Sequence, residues 1–83
     1  NIFPNPVSQN FKLKINAEFS SFGLINIYGL LGNKVYSTAT FITEGDNIVN
    51  VNAVDFSPGL YSVELIYGKN VRRGLFIKEW CKV

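Results

Sequence analysis

A chain of 83 residues suits one domain and no more. Its 47% hydrophobic and 14% aromatic content supplies one packed core and argues against a disordered chain. A net charge of +2, with acids and bases interspersed, points to neither nucleic acid nor an anionic membrane as partner, and the longest apolar runs are far too short to span a bilayer.

The chain contains no Met and opens Asn1-Ile2-Phe3-Pro4-Asn5-Pro6, which reads as a piece taken from a longer protein, its C-terminal end. Phe11, Leu13 and Ile15 then alternate with Lys12, Lys14 and Asn16, the pattern of a half-buried strand with a charged outer face. Residues 24–28 are apolar on both faces and predict a central strand, with Ile25 and Ile27 pointing one way. Gly29 and Gly32 bracket a tight connection into Lys34-Val35-Tyr36. Residues 34–40 and a short run 40–43, rich in Thr, Val and Tyr, are expected to form the next pair of strands.

Glu44-Gly45-Asp46-Asn47 reads as a turn and 48–51 as the strand that follows. Residues 53–58 cross over, with Phe56 plugging the core beneath the crossing. Pro58 then fixes φ and Gly59 allows a sharp reversal. Residues 60–67 are the clearest strand, with Tyr61, Val63, Leu65 and Tyr67 on one face. Gly68-Lys69-Asn70 is a hairpin turn and 71–78 its return partner. On that last strand Val71, Leu75 and Ile77 share a face with Arg73, and Gly74 suggests a β-bulge that turns the arginine outward. Its charges also guard an edge strand against self-pairing.

No window holds an apolar stripe at helical spacing for three turns. The expected fold is therefore all-β: one antiparallel β-sandwich of about seven strands, Ig-like in general form, over residues 1–83.

The residue chemistry argues against an enzyme. Histidine is missing, which removes the commonest general base and transition-metal ligand. The single Cys81 builds neither an internal disulfide nor a structural zinc site. The serines have no partner base, and Gly29-Leu30-Leu31-Gly32 has no following helix with which to hold a phosphate. Glu44, Asp46 and Asn47 offer oxygen ligands in one turn, but too few for a dedicated calcium site. No catalytic residue, metal or cofactor is expected. Tyr28, Tyr36, Tyr61 and Tyr67 fall where strand alternation places them in or beside the core, not on a sugar-stacking platform, and Trp80 lies beyond the last strand.

Six pieces of the chain occur in a telling order. They are Asn5-Pro6; Leu13 with Ile15; Ile27-Tyr28-Gly29-Leu30-Leu31-Gly32-Asn33-Lys34-Val35; Gly45-Asp46-Asn47 with Val49 and Val51; Phe56-Ser57-Pro58-Gly59-Leu60-Tyr61; and Arg72-Arg73 leading into Leu75-Phe76-Ile77-Lys78. Together they resemble the type A C-terminal sorting domain of the type IX (Por) secretion system. Gly29 stands where that family usually has Asp and Asn33 where Arg or Lys is common, and Glu79-Trp80-Cys81-Lys82-Val83 extend past its usual basic ending.

The resemblance implies an address rather than a catalyst. It implies a domain at the C-terminus of a larger exported cargo, covalently continuous with it. The cargo would cross the periplasm and engage the outer-membrane secretion machinery. A sortase-like protease would then remove the domain, and the cargo would be released or joined to an anionic lipopolysaccharide at the cell surface. It also places Val49 and Val51 inward, and Asn5, Pro6, Gly29, Gly32, Gly45 and Pro58 at structural turns. The docking surface expected on this reading is the last hairpin, with Gly59 and Tyr61 setting its start and Arg72, Arg73 and Lys78 giving it charge. The rival readings are an adhesion or carbohydrate-binding module of an extracellular enzyme, which small β-sandwiches often are, and an inert spacer.

Overall fold

Alternation of apolar and polar residues dictates most of the strands. In the computed structural model, which describes Ile2, Phe3 and residues 7–79, the chain forms a two-residue strand β1 (Ile2–Phe3) and six long ones. These are β2 (Asn10–Ala17), β3 (Ser21–Tyr28), β4 (Lys34–Ile42), β5 (Gly45–Asn52), β6 (Gly59–Tyr67) and β7 (Asn70–Lys78). No helix occurs among the described residues. The strands form two antiparallel sheets, one ordered β1-β2-β5 and the other β4-β3-β6-β7.

Both sheets contribute to a single core. β2 buries Phe11, Leu13, Ile15 and Ala17 and exposes the residues between them. Ile25 and Ile27 on β3, Ile42 on β4, Val51 on β5, and Tyr61, Val63, Leu65 and Tyr67 on β6 join them with Phe76 of β7, and Val7 and Ala53 add to the core from outside the long strands. The ring of Phe11 from one sheet lies 4.6 Å from that of Phe76 in the other. Phe56 packs against the core from the 53–58 crossing, its ring 5.3 Å from Tyr61 and 6.4 Å from Tyr36. As the apolar pattern of 24–28 predicts, β3 is central, paired with β4 on one side and β6 on the other.

Three expectations need correction. Residues 34–43 do not divide into two strands. No Gly, Pro, Asn or Asp interrupts the run after Lys34, so β4 continues unbroken to Ile42, paired with β3 as far as Ser21. The reversal after β4 is also shorter than a 44–47 turn. It is a corner at Thr43-Glu44 that carries the chain into the other sheet, and β5 begins at Gly45. Asn47, already within β5, braces this corner. Its Oδ1 accepts from the Thr43 amide and hydroxyl, both at 3.1 Å, while its Nδ2 donates to the Thr43 and Gly45 carbonyls at 2.8 and 3.1 Å. Asp46 Oδ1 accepts from Asn16 Nδ2 at 2.8 Å, so both of these side chains serve the chain itself.

The third correction concerns β7. Its register with β6 is continuous from Gly59↔Lys78 to Tyr67↔Asn70, with no bulge at Gly74. Phe76 and Lys78 face inward, whereas Val71, Arg73, Leu75 and Ile77 face out. Three exposed aliphatic residues lose to one aromatic. Phe76 is fully buried between Phe11 and Tyr61, and period-two geometry then sends its neighbours to solvent.

Candidate docking surface on the last hairpin

The hairpin that carries the expected docking residues turns through Gly68-Lys69, a two-residue loop with Gly68 at φ 56°. At its far end Gly59 pairs with Lys78, and Gly59 adopts φ 151°, a region that a side chain would strain. Gly32 and Gly45 also have positive φ, at the two connections where the sequence places them. Gly29 does not. Its need is space, because the Asn33 carboxamide folds back to within 2.8 Å of where a Cβ would stand. Asn5 and Pro6, like Trp80 and Cys81, lie outside the described residues.

The five docking candidates do not form one patch. Tyr61 is buried, its ring stacked on Phe76 and its hydroxyl donating to the Ser57 carbonyl at 2.6 Å. Lys78 is only 2% exposed, and its Nζ donates to the Glu79 carbonyl at 2.9 Å. A lysine can take such a position by burying its stem while its ammonium keeps a hydrogen bond. Tyr61 and Lys78 are thus buried at the end of the hairpin away from the turn, where the exposed Gly59 pairs with Lys78. Arg72 and Arg73 sit near the turn, about 20 Å away along the strand at ~3.3 Å per residue.

The two arginines point to opposite faces and are both exposed. Arg72 reaches toward the other sheet: its Nη1 donates to the Asn16 carbonyl at 2.9 Å and its guanidinium lies 5.6 Å from the Tyr67 ring centre. Beneath it is a small cleft of about 110 Å³, lined by Leu13 and Ile15 of β2 and Val63 and Leu65 of β6. Arg73 lies on the outer face, 71% exposed, with Nη2 3.2 Å from Glu64 Oε2.

Glu64 belongs to a row that the apolar patterning hides. Ser37, Asn26, Glu64 and Arg73 are directly paired across all four strands of the larger sheet. Ser37 Oγ donates to Asn26 Oδ1 at 2.8 Å, Asn26 Nδ2 donates to Glu64 Oε1 at 3.3 Å, and the Tyr28 hydroxyl donates to the same oxygen at 3.2 Å. The signal was available in the sequence as a polar Asn26 inside an otherwise apolar central strand, matched in phase by Glu64.

The Asn26 amide, then the Tyr28 hydroxyl and Arg73, hold the Glu64 carboxyl below its ordinary value against the opposing effect of burial. The unfolded chain therefore binds a proton at Glu64 more readily than the folded one. Stability from this group is present above the ordinary glutamate value of about 4.3 and is lost as pH falls through the lowered folded value. Urea melts between pH 6 and 3, as rough limits, should show Glu64→Gln flattening the acid side of the profile; an unchanged acid limb would discount the row.

One further feature escaped the sequence. Val7 bridges to the end of β7 in parallel, its amide donating to the Ile77 carbonyl at 2.7 Å and its carbonyl accepting from the Glu79 amide at 2.8 Å. Ile2–Phe3 pairs instead with β2, so the N-terminal segment holds both sheets and straps down the final strand.

No curated protein and no solved structure matches the chain. Residues 1–79 do match the family described as the secretion system C-terminal sorting domain, a span that begins before the Val7 strap and runs past the end of β7. The family is non-catalytic in general. The chain thus belongs to the C-terminal sorting domains of the type IX secretion system, and it is a signal for export by that route.

Proposed function

We propose that residues 1–83 form the C-terminal domain of a larger exported protein, carried with its cargo through the periplasm to the outer-membrane machinery. A sortase-like protease would then remove the domain, leaving the cargo released or attached at the cell surface. The observation that carries this reading is the family match over residues 1–79, nearly the whole chain. The strand order supports an Ig-like sandwich. β1-β2-β5 against β4-β3-β6-β7 corresponds to strands A-B-E against C′-C-F-G of that architecture. The Tyr61 hydroxyl, bonded four residues upstream near the start of β6, resembles its tyrosine corner.

Within the hairpin, the docking role falls to Arg72 and Arg73, whose guanidinium groups are exposed at the strand end nearest the turn. Gly59, Tyr61 and Lys78 act by fixing the hairpin that presents them.

The decisive experiment attaches residues 1–83 to the C-terminus of a periplasm-directed fluorescent protein. The reporter should reach the surface or medium of a host with an intact type IX system and remain in the periplasm of a mutant lacking it. Retention in both hosts, with the domain folded, would overturn the proposal.

A further inference from the structure

β4 is an edge strand whose charge and register shift are confined to its first two residues. It pairs with β3 on one side, and among the described residues no strand pairs with its other side. Sheet edges in soluble proteins usually carry charge, proline, a bulge or a covering segment. The opposite edge of the same sheet has two of these devices, since β7 carries Arg72 and Arg73 and Val7 covers its end.

From Val35 to Ile42 β4 has no charge, no proline and no glycine. Val35, Thr38, Thr40 and Ile42 are β-branched, Tyr36 and Phe41 are aromatic, and the one register shift in its pairing with β3 falls at Val35, leaving the register regular from Tyr36 to Ile42. Such an edge exposes a row of backbone donors and acceptors ready for another strand.

We propose that the free edge of β4 pairs antiparallel with β4 of a second copy of this chain, joining two four-stranded sheets into one of eight strands. A second copy fits this edge because the strand is self-complementary. Centred on Thr38, the pairing sets Thr38 opposite Thr38, Val35 opposite Phe41, Tyr36 opposite Thr40 and Ser37 opposite Ala39. Thr–Thr and aromatic–aliphatic pairs of this kind stabilise sheets. The only charges, the two copies of Lys34, stand at opposite ends of the pair, about 25 Å apart at ~3.3 Å per residue.

The outer face gains as well. Val35 and Phe41 are 39% and 53% exposed, and Phe41 packs edge-on against Phe22, itself 72% exposed, with ring centres 5.2 Å apart. In the dimer Val35 of each copy covers this aromatic pair at the seam.

One strand pair is smaller than a standard interface, so the association is weak. Self-pairing at this edge is independent of export.

Ala39 is exposed and lies beside the two-fold axis, where long side chains from both copies meet. Sedimentation of residues 1–83 over a concentration series should move from 9.3 kDa toward twice that mass. Ala39→Lys and Ala39→Glu should each weaken self-association about tenfold while melting like the parent, and an equal mixture of the two should recover it. A parent that stays at monomer mass throughout, folded variants that associate as the parent does, or a mixture that fails to recover would each overturn the proposal.

Discussion

Phe76→Ala should cost the domain about 3–5 kcal/mol, while Leu75→Ala, one residue away, should change stability by less than about 0.5 kcal/mol. Phe76 is fully buried, with its ring centre 4.6 Å from Phe11 and 5.3 Å from Tyr61. Removing it leaves a cavity where the two sheets meet. Leu75 is 63% exposed on the outer face and loses little on truncation. A domain of this size has a total stability of roughly 4–12 kcal/mol, so the Phe76 variant stands near unfolding. Urea melts of both variants decide the matter. Equal losses, or a larger loss at Leu75, would contradict the phase of β7 seen here.

That phase also shows what the sequence conveyed and what it did not. Strands with one clean alternation were legible: β2 buries the residues its pattern selects, as does β6 from Tyr61 to Tyr67. β7 offered two competing faces, Val71-Leu75-Ile77 or Phe76 with a glycine and a lysine. Local counting favours the first. The tertiary structure chooses the second, because Phe11 and Tyr61 leave a slot for an aromatic ring that an aliphatic residue fills less well.

Lys78 illustrates the same limit at the candidate site. Its charge suggested an exposed docking residue, but its burial depends on pairing with Gly59, 19 positions earlier, and on the Val7 strap. Neither contact is visible to local pattern. The polar row through Asn26 and Glu64 was masked for a related reason. Two polar residues on separate strands acquire meaning only once the register sets them side by side.

The arginines give the second large effect. Arg72→Gln with Arg73→Gln should reduce export of a fused reporter about tenfold or more, because charge that reads a partner acts through encounter and register. Lys78→Met should leave export nearly unchanged, since the methionine keeps the buried stem and removes a charge that is not at the surface. Both arginines are exposed, and their contacts to Asn16 and Glu64 are peripheral to the core, so the double variant should still fold. Far-ultraviolet circular dichroism and a thermal melt verify this before export is compared. Export that survives loss of both arginines, or fails only on loss of Lys78, would move recognition away from the turn end of the hairpin and toward the strapped end, where Val7, Gly59 and Lys78 meet.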